Sequence, residues 1–598
     1  MNRRRLLAGM AAAPLLQACT TLTAPKGRTA RVRPGSPDWP NEAEWSRLDK
    51  AVGGLVRPQP VLAACDADAQ GAACKDALSN LGNPFFLGDQ AGATQVSGWY
   101  KAWKPEPSAY AVAARDARDV AAAVNFARKH RLRLVVKGGG HSYQGTSNAP
   151  DSLLVWTRKM TRIEMHDAFV PAGCEGVVAP AHAVSVGAGC VWLDVYHEVT
   201  TKGGRYAQGG GCTTVGVAGH IQSGGFGSWS KRYGTAAGNL LEAEVVTADG
   251  KVRIVNARRD PELFWALKGG GGGSFGVVTR VTVRTHDLPN VFGGGGGVIK
   301  AASDEAYRRL IERFIGFYSD TLFNSNWGEQ ATFSGSNTLD ISMASAGVTR
   351  AEAAAAWKPF IDWVSTSPSD YTFVGKLDFK DIAAQHFWDM EMLRSLGVDS
   401  IVFDSRPGAP SYHAWWKGDG DQVSVFLHGY ESIWLPETLL APDQHASLAD
   451  ALFKASRHMS VSLHFNKGLA GAAPDALRDA RDTATNPDVL GAFALAITAT
   501  GGPPAYTEMP GRPMPEVVAR VNASKVDAAA TELRRVAPKG GSYVSESNYF
   551  NADWANAFWG ANYARLRRAK AAYDPAGLFT VHHGVGSEDW SADGFTPV

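Results

Sequence analysis

The sequence predicts an α+β protein of more than one domain, and three observations carry that expectation. At 598 residues the chain is longer than one compact core organises. A strand–helix–strand pattern over residues 108–136 runs directly into a glycine loop, which is how nucleotide-binding units begin. From residue 291 to about 538, alternating strand-like segments are interleaved with longer helical ones, the pattern of a sheet covered by helices.

Composition narrows the partners. Hydrophobic residues make up 45% and charged residues 20% of the chain, as in an ordinary folded protein. The formal net charge is only +2 and no basic run follows the extreme N-terminus, so no nucleic-acid partner is expected. No Cys-x-x-Cys or His-Glu-x-x-His pattern argues for a metal, and His582-His583 lacks a third ligand at useful spacing.

The chain opens on a targeting pattern. Arg3, Arg4 and Arg5 precede an apolar run over 6–16 that is too short to span a bilayer, and small residues and Cys19 follow. Arg-Arg-x-Leu-Leu resembles a twin-arginine export signal. Leu16-Gln17-Ala18-Cys19 also resembles a lipobox, which makes Cys19 a possible lipid anchor or a residue discarded with a plain signal. The expected location is therefore exported, either periplasmic or membrane-anchored. In an oxidising compartment, Cys65/Cys74 and Cys174/Cys190 could each close a short disulfide loop, leaving Cys212 alone.

In chain order, residues 24–102 read as an irregular, Pro-, Ala- and Gly-rich lead-in with an amphipathic piece at 45–52. Residues 108–112 are strand-like. Val120, Ala123, Val124 and Ala127 then recur at helical spacing, and 132–136 is a short apolar strand. Strand-like segments at 153–157 and 183–187 and a helix at 192–200 come next. Residues 240–255 form a hairpin around Asp249-Gly250. A short helix at 260–267 and an alternating strand at 275–283 close this part. Beyond residue 291, segments 330–333, 339–343 and 459–465 read as antiparallel strands, and 351–364 and 474–484 as helices. His464-Phe465-Asn466-Lys467 ends one such strand and could project polar groups into a cavity.

Two glycine-dense loops organise the rest. KGGGHSYQG spans 137–145 and GGGCTTVGVAGHIQSGGFG spans 209–227. Glycine at this density weakens any helix or strand, so close approach of backbone to a ligand is the expected compensation. Successive N–H groups freed of Cβ crowding cradle phosphate oxygens. One loop carries His141 and the other Cys212, whose thiol pKa the surrounding backbone dipoles are expected to lower. Together they suggest one large phosphorylated cofactor held from two sides.

With ELFWALKGGGGGSFGVVT at 262–279 and YDPAGLFTVHHGVGSEDW at 573–590, these loops make four motifs in an order that resembles the berberine bridge enzyme-like oxidases. That family belongs to the vanillyl-alcohol-oxidase (VAO) superfamily. The resemblance runs from about Pro107 to Trp590. It implies a bipartite PCMH-type FAD-binding domain with an inserted substrate domain built on an antiparallel sheet covered by helices. The corresponding boundaries are a signal segment over 1–19, the lead-in over 20–102, the FAD-binding part over 103–289, the substrate part over 290–538 and a returning C-terminal segment over 539–598.

The family's FAD is often linked twice to protein, through its 8α-methyl to a His and through C6 to a Cys. His141 and Cys212 match those positions. The implied cofactor-binding set is Lys137, Gly138, Gly139, Gly140, His141, Ser142, Cys212, Val215, Gly216, Gly219, His220, Gly225, Gly227 and Gly276. Val215 matches a gatekeeper beside the flavin's C4a; in the family, Val there in place of Leu accompanies reaction with dioxygen, which makes dioxygen the expected acceptor.

A base near the flavin N5 is needed to take a substrate proton while hydride leaves carbon. In sugar-oxidising relatives it is the Tyr of a Tyr-x-Asn motif, and Tyr543 aligns with it, although Ser545 stands where Asn is expected. Tyr549 offers a second Tyr-x-Asn register. An ordinary phenol pKa of about 10 would have to fall, through a nearby cation or the flavin. The activity implied is hydride transfer from an alcohol or amine carbon of a small-molecule substrate. Two other readings stay open here: a flavin dehydrogenase with another electron acceptor, and a non-catalytic binding lipoprotein on the same fold.

Overall fold

A computed structural model describes residues 28–506, 509 and 516–598, so the targeting pattern and Cys19 lie outside the described residues. The first sheet contains Leu55–Val56 (β1), Tyr110–Ala113 (β2), Arg133–Lys137 (β3) and Ser152–Trp156 (β4), in the order β1-β2-β4-β3. β4 runs parallel to both neighbours. The crossover from β2 to β3 is the helix Ala117–Lys129. Asp116 caps it by accepting from the Arg118 and Asp119 N–H groups. Its buried stripe is the predicted Val120, Ala123, Val124 and Ala127, packed against Leu134, Leu153 and Val155 of the sheet.

The second sheet holds Ile163–Phe169 (β5), Ala181–Gly187 (β6), Arg205–Ala207 (β7), Leu240–Val246 (β8), Val252–Asn256 (β9) and Val277–Asp287 (β10). Their order is β5-β6-β10-β8-β9, with β7 also on β10. The Asp249-Gly250 hairpin forms as expected between β8 and β9, with Gly250 at a φ of 78°.

The third sheet has seven antiparallel strands. These are Val291–Ala301 (β11), Trp327–Ser334 (β12), Thr338–Ala346 (β13), Tyr371–Ala383 (β14), Phe426–Pro436 (β17), Val461–His464 (β18) and Ala492–Gly502 (β19). They are ordered β14-β11-β13-β12-β18-β19-β17, and a separate hairpin pairs Ile401–Phe403 (β15) with Ala414–Trp416 (β16). Helices Asp304–Phe317, Arg350–Ser365, His445–His458 and Glu516–Arg534 bury their apolar faces in the same core as one face of this sheet. Strand alternation places Ala331, Phe333, Leu339, Ile341, Met343 and Leu463 in that core. The intervening Gln330, Ser342, Ala344 and His464 line a cavity on the opposite face.

Three details depart from the sequence reading. Residues 293–297 are five consecutive glycines inside β11, where composition alone argues against a strand. A Cβ on Gly294 would lie 2.5 Å from the Met343 carbonyl oxygen and one on Gly296 2.7 Å from that of Ile341, so close strand approach requires the missing side chains. Of the two cysteine pairs, only Cys65–Cys74 is bonded. Cys174 and Cys190 are separately buried free thiols; Cys174 packs beside Asn256, and the Cys190 carbonyl accepts from Val217 N–H. The N-terminal lead-in is more regular than expected: it has four helical segments, and β1 extends the first sheet.

The chain's end returns to this first sheet. Phe579 bridges Leu134. The buried Lys570 ammonium pairs with Asp574 and donates to the Ser274 and Phe579 carbonyls. Lys137, expected at the cofactor, instead sends its buried ammonium to the carbonyls of Gln90, Ala91 and Ala93 at 2.7, 2.6 and 2.9 Å. One cation thereby satisfies three carbonyls of an irregular segment that has few other buried donors. Lys137→Met should lower unfolding free energy by about 3 kcal/mol and expose residues 90–93 to proteolysis. Denaturant melts and limited proteolysis check this, and unchanged cleavage would show that the ammonium is not what holds the segment.

Candidate active site

The two glycine loops meet back to back. A Cβ on Gly139 would stand 2.9 Å from the Gly216 amide nitrogen, and one on Gly216 would stand 2.8 Å from that of Gly139. Both positions are therefore closed to any side chain by backbone rather than by movable atoms. Gly140, at a φ of 77°, turns the first loop so that its carbonyl accepts from Gln95 N–H at 3.0 Å. The joined loops form one wall of a cavity of about 1030 Å³, at the upper end of small-molecule sites. Residues 271–273 and 581–584 continue that wall, and the open face of the seven-stranded sheet stands opposite.

His141 and Cys212 come together on this wall through Thr214. The Thr214 hydroxyl is 3.2 Å from His141 Nε2 and 3.7 Å from Cys212 Sγ. With Nε2–H donating to Thr214, the Nδ1 lone pair is left for a further bond. Burial draws the imidazole pKa down to about 4, so the ring is neutral near pH 7. The cysteine departs from expectation. Burial first, and then the Asp419 carboxylate, push its thiol pKa up rather than down. Backbone dipoles do not offset the loss of water here. Asp419 in turn is raised to about 6, chiefly by burial.

Gly138, Gly139, Gly140, Ser142, Val215, Gly216, Gly219 and Gly276 line the cavity with His141 and Cys212. Lys137, Gly225 and Gly227 do not. A Cβ on Gly225 would meet Ala236 Cβ at 2.7 Å and one on Gly227 the Gly209 carbonyl oxygen at 1.8 Å. These two glycines let the second loop fold on itself. His220 reaches the cavity edge, but both ring nitrogens are taken. Nδ1 accepts from Trp192 Nε1 at 3.0 Å, and Nε2 donates to the Phe226 carbonyl at 3.2 Å. Its part is to fix the loop.

Tyr543 also lines the cavity, buried at 6% exposure and packed edge-on against Phe226 of the second glycine loop. Ser545 hydrogen-bonds to its phenol, so the Ser in place of Asn still reaches it. The phenol pKa rises instead of falling, first through burial and then through Glu546. The nearby cation, Lys467, is paired with Glu546 at 2.5 Å. Tyr143 donates to Gln422 at 2.9 Å and packs 5.4 Å from Tyr430. His582 and His583 also line the cavity: His582 stacks on Tyr549 at 3.7 Å and His583 on Trp554 at 5.3 Å.

Glu329 and Asp419 are site carboxylates that sequence reasoning missed. Alternation along β12 would send Glu329 to the helix-covered core, but at a φ of 68° its side chain lines the cavity instead, while its pairing with β13 continues unbroken. It accepts from Ser228 and lies beside Gly211, with its pKa raised by burial. Asp419 follows β16, and no motif marks it. The signals for Tyr143, Thr214 and Glu546 were present, each two or three residues from a singled-out position.

These residues fit a flavin dinucleotide. The paired glycine loops leave backbone room that any Cβ would fill, positions 219 and 272 stand open, and a neutral imidazole and a thiol share one wall. Comparison with known proteins agrees. Residues 108–256 match the FAD binding domain family and residues 522–586 the berberine and berberine-like family. A VAO-type flavoprotein oxidase, VAO615 of Thermothelomyces thermophilus, is 30% identical, with 94% of each chain covered. The crystal structure of the VAO-type flavoprotein MtVAO615 from Myceliophthora thermophila C1 superposes with a TM-score of 0.77 at 26% identity, covering 95% of this chain and 99% of the other. The Acremonium strictum glucooligosaccharide oxidase, which carries a 6-S-cysteinyl, 8α-N1-histidyl FAD, shares the fold at a TM-score of 0.58 and 18% identity over 80% of this chain and 92% of its own.

His141, His220 and His286 are all held neutral by burial, each with its pKa drawn down to about 4. Below pH 6.5 the unfolded chain binds protons that the folded chain refuses, so stability should fall as pH drops from 6.5 toward 4. The slope is at most about 1.4 kcal/mol per pH unit for each such His. Denaturant melts between pH 7 and 4.5 should show this slope, and His220→Gln should remove one proton's share of it.

Proposed function

We propose that this chain, which belongs to the VAO-type FAD-linked oxidoreductases, is an exported oxidase. It would move hydride from an alcohol or amine carbon to FAD joined to both His141 and Cys212, with dioxygen as the final acceptor. The observation that carries this reading is the placement of a neutral imidazole and a thiol on one wall, bridged by Thr214, in the same cavity that the Tyr543 side chain lines. Bound FAD supplies the hydride acceptor and the path of electrons to dioxygen.

The residues divide the remaining work. The Gly138–Gly140 and Gly216–Gly219 backbones would hold the pyrophosphate and ribityl parts. His141 and Cys212 would fix the ring, leaving the far side of the cavity for a bulky substrate. Val215 would leave room for dioxygen. Tyr543 meets the substrate's hydroxyl or amine proton. Since burial first, and Glu546 after it, keep the phenol protonated at rest, Tyr543 acts as a relay, passing its own proton toward that carboxylate as it receives the substrate's. Lys467 pairs with that carboxylate at 2.5 Å and so positions it. Export rests on the N-terminal Arg-Arg-x-Leu-Leu pattern, and a Cys65–Cys74 disulfide suits an oxidising compartment.

Acid-precipitated wild-type protein should keep its yellow colour, as should His141→Ala and Cys212→Ala singly, while the double variant should release it. Colour freed from the wild type would sink the double attachment. Tyr543→Phe should keep bound flavin but lower the rate of flavin reduction by about 100-fold. Val215→Leu should depress peroxide release in air while leaving reduction of an artificial dye unchanged; equal peroxide yields would remove Val215 from the dioxygen path.

A further inference from the structure

We infer that Asp419 is the proton acceptor, and Thr214 the hydrogen-bond donor, that make Cys212 a thiolate so that it can bond to the flavin. The inference rests on the double attachment proposed above and concerns how the Cys212 bond is made.

Three features on the cavity wall support it. Asp419 Oδ2 is sealed from solvent and meets no N–H or O–H donor among the described residues. A buried carboxylate oxygen in that state is costly unless something offsets it, and the thiol whose pKa this carboxyl group raises is that of Cys212. Second, the placement is anchored. The Thr213 hydroxyl, next to Cys212, donates to the Ala414 carbonyl at 3.2 Å, tying the cysteine loop to the β15–β16 hairpin that leads into Asp419. Third, the Thr214 hydroxyl lies 3.2 Å from His141 Nε2 and 3.7 Å from Cys212 Sγ; with Nε2 protonated it accepts from the imidazole and has its own proton to donate to the sulfur. The chain His141 Nε2–H, Thr214 O–H, Cys212 sulfur then polarises toward negative sulfur. The other charged or titratable neighbours are Glu329 at Asp419, and Tyr143 and Tyr196 at Cys212. None is a cation, so the thiolate has no countercharge beyond these hydrogen bonds and needs a local acceptor for its proton.

The S–H bond breaks and its proton passes to Asp419. Sulfur bonds to the flavin's C6 and the ring C–H is lost as a proton. The two electrons left in the ring pass with two protons to dioxygen, which departs as hydrogen peroxide. Asp419 can take the thiol proton only as a carboxylate, which it is above about pH 6. The attachment rate should therefore climb up to that pH and then level off.

The test uses His141→Ala, in which the Cys212 bond alone holds flavin through acid precipitation. Whole protein expressed with FAD is followed over time in air for flavin retained in the pellet and on the Cys212 peptide by mass. Native absorbance reports non-covalent FAD. Adding Asp419→Asn should slow attachment about 100-fold at pH 7. The rate should then rise steadily between pH 6 and 9, and Asp419→Glu should restore the plateau. Thr214→Val should slow attachment and Thr214→Ser restore it, which decides the matter even if Asp419→Asn fails to fold. Attachment in Asp419→Asn as fast as in the parent, or faster, would overturn the inference, since a carboxylate that merely repels the thiolate should retard it. Unchanged attachment in Thr214→Val would do the same. Release of all flavin by His141→Ala alone, with colour kept by Cys212→Ala, would instead show that the cysteine bond does not form, removing the double-attachment reading and this inference with it.

Discussion

The contact of Gly139 with Gly216 is the constraint on which the site depends. Each glycine stands where a Cβ would strike the other's amide nitrogen, so the first sheet's loop and the second sheet's loop approach to backbone contact only because both lack side chains. That approach brings His141 and Cys212 near the same threonine. It also fixes the sheets relative to each other, with the Val191–Gly216 bridge holding the second loop against its own domain. A residue with a Cβ at either position would separate the loops, and the imidazole and thiol with them.

Around that contact the interior is organised by neutral groups. His141 and His220 are depressed by burial, and Tyr143, Tyr543 and Cys212 are raised. Every shift favours the uncharged form, as expected of a cavity walled by backbone and aromatic rings. The charged exceptions are specific. Lys467 and Glu546 pair with each other. Two carboxyl groups follow the same trend, both raised by burial: Glu329 is held by Ser228, while Asp419 Oδ2 has no hydrogen-bond donor among the described residues. A carboxylate without a donor in so neutral a setting is the least explained charge on the wall, which directs attention to the thiol beside it.

The third sheet shows how one strand serves two masters. Along β12, Ala331 and Phe333 face the helices while Gln330 faces the cavity, as alternation requires. Glu329 breaks the rule by taking a left-handed backbone, φ 68°, which few side chains adopt without support. Its support is the Ser228 hydroxyl from the glycine loop, so the strand's irregularity and the loop's position depend on each other.

The sequence by itself determined what short-range chemistry can encode. The helix 117–129 with its apolar stripe, the Asp249-Gly250 hairpin, and the two glycine loops carrying His141 and Cys212 were all legible, because each follows from periodicity, turn geometry or an unusual run of one residue. The α+β class and the family were legible for the same reason, through four motifs in order. Tertiary structure alone decided the rest. Lys137 looked like part of the cofactor cradle, yet three carbonyls nearly fifty residues earlier claim its ammonium. Gly225 and Gly227 looked like phosphate ligands but serve the loop's own packing. Cys212 looked like an acidified thiol until burial and Asp419 reversed the sign. In each case the deciding partner lies far along the chain or is water that folding removed. Local pattern records neither, because solvation and long-range contact belong to the packed molecule.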